Sequence, residues 1–134
     1  MAKFSIHQLT IFAARSGNLE LLKERIKAGG DINYLDQKFG SALSEAIRTS
    51  KLEIIDYLIK SGVNVNVSYF DDIGPLEIAL RNPNIHVVYK LLCAGAKLKK
   101  KSRHYYKLRL QECLIEIKKQ YKESNADKNS VDLE

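Results

Sequence analysis

The sequence predicts an all-α solenoid of about three helical repeats, joined by hairpin-like connections and closed by a C-terminal helix. Three observations predict it. Ala13, Ala46 and Ala79 stand 33 residues apart, and so do Gly29, Gly62 and Gly95. The apolar positions keep the same step, through Leu19, Leu52 and Ile85, then Leu22, Ile55 and Val88, then Ile26, Ile59 and Leu92. Within a copy, apolar residues recur at helical rather than strand spacing. A fixed period in this range marks a stacked repeat, whose units bury their apolar faces only against their neighbours.

The repeats are assigned to residues 3–35, 36–68 and 69–101. The first is atypical at its start, with "QLTI" where the later copies carry a clearer helix opening. In the second, "SALSEAIRTS" places Ala42, Leu43, Ala46 and Ile47 on one helical face, and Ser41 is a good N-cap. The third opens with Gly74 and Pro75, and Pro suits the first helical position because its missing N–H would be unpaired there. Between the two helices of a repeat stand Gly17, Ser50 and Pro83 in turn. The second helix of the middle copy, "LEIIDYLIK", carries a stripe of Leu52, Ile55, Leu58 and Ile59, and Gly62 ends it in a left-handed C-cap. An extended stretch, "VNVNVSYFDD", then leads to the next copy.

These units resemble ankyrin repeats, which are 33 residues long and carry a Thr-Pro-Leu-His-x-Ala motif. The matching stretches are "GSALSEA" at 40–46 and "GPLEIA" at 74–79, with "AGGDIN" and "KSGVNVN" standing for the family's Gly-Ala-Asp-Val-Asn ending. The motif His is replaced by Ser44 and Glu77, so its hydrogen bonds need another source. The resemblance covers about residues 3–101. It implies a rigid, non-enzymatic protein-binding module, with no cofactor and no metal.

After Lys101 the period fails, and 103–123 reads as one amphipathic capping helix with Tyr106, Leu110, Cys113, Leu114, Ile117 and Tyr121 on its apolar face. Together with the repeats it forms a single domain, 1–123. The remaining residues, 124–134, hold too little apolar content to pack and are expected to be a disordered tail.

Composition limits the function classes. Lys and Arg outnumber Asp and Glu by 22 to 16, and the acidic end conceals a body that is more basic still. A basic body favours an acidic partner. No stretch approaches the ~20 apolar residues of a membrane span. The N-terminus has no signal-peptide pattern, and two cysteines make no disulfide framework, so a reducing cytoplasm is the expected compartment. Cys93 and Cys113 both read as small core residues. His7, His86 and His104 are isolated, and no metal-ligand spacing, phosphate loop or nucleophile motif occurs. Ser44 and Glu45 are adjacent on a helix and do not converge.

The candidate binding residues come from the register and from the connection tips. Arg15, Arg48 and Arg81 keep the 33-residue step, and the resemblance to ankyrin repeats implies that they face the concave groove. They either clamp a partner's carboxylates or serve as helix formers. The tips "YLDQKFG" and "SYFDDIG" carry Tyr34, Lys38, Phe39, Tyr69, Phe70 and Asp71. Tyr and Arg are enriched at binding hot spots, and consecutive rings such as Tyr69 and Phe70 are hard to bury together. The alternative is that some of these rings fold back onto the neighbouring hairpin.

The expected partner is another protein with an acidic surface, bound by a monomer and occluded by it. One version is an inhibitor or immunity protein that neutralises a toxin. The second hypothesis is a nucleic-acid-associated protein using the basic run 97–107, "KLKKKSRHYYK", where Lys99, Lys100, Lys101 and Arg103 could hold anions. A solvated loop is the favoured reading of that run, because no nucleic-acid module accompanies it.

Overall fold

In a computed structural model that describes residues 3–81 and 83–129, seven α-helices follow one another. They are α1 (Ile6–Ser16), α2 (Leu19–Lys27), α3 (Ala42–Arg48), α4 (Leu52–Lys60), α5 (Pro75–Arg81), α6 (Ile85–Cys93) and α7 (His104–Asn129). No strand occurs among the described residues, only an isolated bridge between Asp36 and Gly40. The fold is an all-α helical repeat stack. Helices α1, α3 and α5 form an inner layer, α4 and α6 pack in the outer one, and α7 lies across α5 and α6 at the end.

Local chemistry starts and stops each helix. Ser5 and Gln8 form a reciprocal capping box on α1, and Asn18 caps α2. On α3 the box is Ser41 with Ser44, so the residue standing for the motif His caps its own helix. On α5 the replacement is Glu77, buried to 1% exposure. Its carboxylate accepts from the Gly74 amide at 3.0 Å, from the Lys99 amide at 2.7 Å and from the Ser102 hydroxyl at 2.9 Å. The role of the missing His is thus divided, and Glu77 also ties the third repeat to the segment leading into α7.

Each outer helix ends in the same left-handed device. After α4, the Gly62 amide reaches the Ile59 carbonyl and the Val63 amide reaches Leu58, with Gly62 at φ 86°. Gly29 and Gly95 repeat it after α2 and α6. The turn between helices also keeps its shape where the residue changes. Gly17 sits at φ 79°, and Ser50 holds the same region at φ 52°.

The core runs continuously through the stack. Ala13, Ala46 and Ala79 are all nearly inaccessible, and their small side chains let α1, α3 and α5 approach closely. Ile54, Ile55 and Leu58 are completely buried, each contributing about 1.5–3 kcal/mol of apolar burial. A polar ladder runs beside this core. The Asn33 side chain accepts from the Asn64 amide at 2.8 Å, and Asn66 accepts from the Lys97 amide at 2.8 Å. The first rung is His7 Nδ1, which accepts from the Asp31 amide at 3.0 Å. Ion pairs clasp neighbouring repeats, Arg15 to Glu45 at 2.8 Å on the inner layer and Lys90 to Asp56 at 2.7 Å on the outer one.

The end of the chain departs from the expected pattern in three ways. On α7 the buried residues are Tyr106, Cys113 and Ile117, flanked by Leu110 and Tyr121, while Leu114 is exposed. Leu114 lies at the edge of the stripe, past the reach of α5 and α6. Cys93 is exposed and not a core residue, because it occupies the last turn of α6 on the outer groove beside Tyr89 and Tyr121. The helix also continues to Asn129, so 124–129 is helical where a tail is expected; no Gly or Pro interrupts it, and extending a formed helix costs little. Residues 130–134 lie outside the described residues.

Candidate functional site

The inner helices end in step, and each has its arginine in its last turn, where a cation complements the helix dipole. Arg15, Arg48 and Arg81 are all exposed on that layer. They do not form a bare ladder. Glu45, on α3 one turn before Arg48, is buried to 5% exposure and receives two of them. Arg15 donates Nε to its Oε1 at 2.8 Å, and Arg48 donates Nε to Oε2 at 2.9 Å and Nη2 to Oε1 at 3.1 Å. Burial alone would raise the Glu45 pKa, but hydrogen bonds and charge from Arg48 and Arg15 bring it below the ordinary glutamate value. Arg81 donates Nε to the Tyr106 hydroxyl at 2.9 Å, binding the third repeat to α7. Two guanidiniums therefore share one carboxylate and the third is held by a neutral hydroxyl, so these side chains keep a positive surplus.

The first connection tip is closed upon itself. Asp36 is buried, and its carboxylate accepts from the Lys38 and Phe39 amides at 2.8 and 2.9 Å. Gln8 and the Tyr34 hydroxyl add bonds at 3.1 and 3.2 Å. The Gln8 bond leads the causes that lower the Asp36 pKa. The Tyr34 ring stacks on His7 with centroids 5.0 Å apart. Phe39 packs edge-on against Phe12 at 4.8 Å and Phe4 at 6.0 Å, and the Lys38 ammonium lies over the Phe39 ring. Both rings of this tip fold back onto the first repeat.

The second tip is open. It keeps one backbone bond of the first, the Tyr69 amide reaching the Ile73 carbonyl at 2.7 Å where Asp36 reaches Gly40. Tyr69 takes the place of Asp36, and its ring turns inward to hydrogen-bond the Ser41 hydroxyl at 2.9 Å. Burial pushes its phenol up to about 12 despite that bond. Phe70 points outward and is 52% exposed. Asp71 and Asp72 both hold left-handed backbone, at φ 63° and 57°, a conformation that costs a non-glycine residue about 1–2 kcal/mol. Strain concentrated in this way accompanies functional segments.

Between this tip and the inner helices lies a cleft of about 440 Å³. Leu35, Ile47, Ile78 and the two rings give it apolar walls, and Glu45, Arg48 and Arg81 line its polar side. Four of the sequence-predicted residues, Arg48, Tyr69, Phe70 and Arg81, meet there. Arg15 joins through Glu45, whereas Tyr34, Lys38 and Phe39 remain at the first tip and Asp71 at the exposed end of the second. The basic run is elsewhere. Lys100, Lys101 and Arg103 are exposed, while the Lys99 amide and ammonium are engaged by Glu77 and the Asn66 carbonyl. Of the two rings there, Tyr106 is buried against Arg81 and Tyr105 is 51% exposed.

Glu45 is the cleft residue least visible in the sequence. An acid three residues before Arg48 on a helix is a legible signal, but its second partner lies 30 residues away. No group of His, Cys, Asp and Glu able to hold a metal occurs among the described residues. No described helix is long and apolar enough to cross a membrane.

Comparison with known proteins agrees with this geometry. A family model described as ankyrin repeats matches residues 10–102 in three copies. The chain is 39% identical over 56 residues to Protein VAPYRIN-LIKE of Medicago truncatula, covering 42% of this chain and 12% of that one. It is 31% identical over 87 residues to the ankyrin repeat and KH domain-containing protein mask-1 of Caenorhabditis elegans, covering 64% and 3%. It is 30% identical over 107 residues to a protein named L-asparaginase from Dirofilaria immitis, covering 80% and 18%. The chain thus spans a small part of the length of each of these relatives.

Proposed function

Because the chain belongs to the ankyrin-repeat family, whose repeats mediate protein–protein interaction, we propose that it is a non-enzymatic module binding an acidic protein surface through its concave face and second tip. The observation that carries the reading is the cleft under Phe70, where an exposed ring, apolar walls and two guanidiniums converge. Its parts are held by helices and by hydrogen bonds within the repeats, so little ordering is needed on binding. The surplus of arginine over carboxylate steers an acidic partner. A face of this kind acts by covering what it binds. The reading therefore extends to a stoichiometric inhibitor, of which an immunity protein for a toxin is one form, acting in the cytoplasm.

Affinity capture with the wild type and with the Arg48→Glu, Arg81→Glu double variant tests the reading, each with and without nuclease. A protein retained after nuclease and lost with the charge reversal is the expected result. Capture that disappears on nuclease treatment would instead favour nucleic acid on the 97–107 run, and capture indifferent to both arginines would remove the concave face from the interaction.

A further inference from the structure

We propose that the cleft beneath Phe70 receives one bulky apolar side chain of the partner, with carboxylates on either side of it engaged by Arg48 and Arg81. The ligand is then an extended acidic segment with an apolar residue at its centre, and not a flat field of negative charge. The proposal rests on the protein-binding reading and adds the chemistry of what is bound.

Size and lining point to the apolar centre. A volume of about 440 Å³ falls in the range of ligand pockets, and Leu35, Ile47 and Ile78 form walls against which a charged side chain would lose its hydration without gaining a partner. Phe70, half exposed at the rim, is the ring that such a side chain would cover. Glu45 supplies the exclusion. It lines the cleft with both oxygens already engaged by Arg15 and Arg48, so a carboxylate placed beside it would meet like charge and compete for guanidinium groups already in use, whereas acids at the rim reach the open nitrogens.

The flanks follow from what the arginines leave open. Arg48 uses Nε and Nη2 on Glu45, and Arg81 uses Nε on Tyr106. Arg48 Nη1 and both terminal nitrogens of Arg81 have no partner among the described residues, and terminal guanidinium nitrogens suit carboxylates. At the other edge, Asp71 and Asp72 crowd the exposed end of the tip. Charge complementarity therefore sends the ligand's acids toward α3 and α5 and away from the tip.

Fluorescence anisotropy with the full chain and short labelled peptides tests this. One peptide has a Phe flanked on each side by two Glu; a second has Ser at its centre; a third has a central Glu; a fourth keeps the Phe but replaces each flanking Glu by Gln. The Phe-centred acidic peptide should bind about tenfold or more tighter than the other three. Phe70→Ser should abolish the preference for Phe over Ser, and Arg81→Gln the preference for Glu flanks over Gln, with helical circular dichroism unchanged in both. In Glu45→Gln the central-Glu peptide should gain affinity. Equal binding of the Phe- and Ser-centred peptides, a preference that survives Phe70→Ser, or no measurable binding of any peptide overturns the proposal. If those results accompany a captured protein that is still lost on reversing Arg48 and Arg81, the protein-binding reading stands and only the apolar-centred ligand falls.

Discussion

The two connection tips share one backbone hydrogen bond in register and differ in backbone path and in how they are filled. At the first, Asp36 spends both oxygens on its own loop and neighbours, and Tyr34 and Phe39 lie against His7 and Phe12. At the second, the same position is Tyr69, which reaches back to Ser41 and leaves Phe70 uncovered over strained Asp71 and Asp72. A carboxylate at the hinge position closes a tip, because it satisfies amides that would otherwise need water. A tyrosine there anchors the tip to the stack and frees the next residue for a partner. The exchange of Asp36 for Tyr69 in register is the change that most separates the structural loop from the presenting one.

The largest effect expected is on the closed tip. Asp36→Ala removes an acceptor used by four donors and should cost about 3 kcal/mol in urea unfolding. The same carboxylate makes the tip acid-sensitive. Its folded pKa lies below the unfolded one, so its contribution is present above the ordinary aspartate value and is lost as pH falls through the folded value. Urea midpoints should therefore drop below about pH 4 in the wild type and drop less in Asp36→Ala.

At the open tip, Tyr69→Phe deletes one hydroxyl bond and should cost about 1 kcal/mol. Here the sign with pH is reversed. The phenol is raised in the folded state to about 12, so its contribution holds below the unfolded value near 10 and is lost as pH climbs through the folded one. Acid should loosen the first tip through Asp36, and Tyr69→Phe should show a smaller alkaline loss than the wild type, the remainder coming from other raised groups such as Tyr34.

Relieving the strain should gain stability. Asp71→Gly or Asp72→Gly should raise it by about 0.5–1 kcal/mol, read as a higher thermal midpoint. The smallest change is expected from Phe70→Ser, within about 0.5 kcal/mol, since the ring is exposed. If Phe70→Ser proves strongly destabilising, the ring is packed in solution and the contrast between the tips fails.

The stack was legible because a period survives substitution. Ala46 and Ala79 can be compared with Ala13, and a stripe such as Leu22, Ile55 and Val88 needs no partner to be identified. The tips were less legible, since position 36 and position 69 correspond but carry different chemistry, and only the folded loop shows which ring each displaces. Glu45 was read beside Ser44 as part of a pair without catalytic geometry. Its role lies in a contact with Arg15 across repeats, which no local spacing encodes. Cys93 and Leu114 were read as buried because helical spacing gives a face but not its width, and α7 is covered only where α5 and α6 reach it.

The two ion pairs between repeats also have a mechanical meaning. The first junction is clasped on its concave side by Arg15 and Glu45, and the second on its convex side by Asp56 and Lys90. Spreading the inner surface would break the first clasp at once. At the second junction the clasp lies behind the bend and acts as a strap, while the inner helices α3 and α5 share no ion pair among the described residues. Flattening the solenoid would therefore separate an ion pair at the first joint and none on the inner side of the second, the joint that borders the cleft.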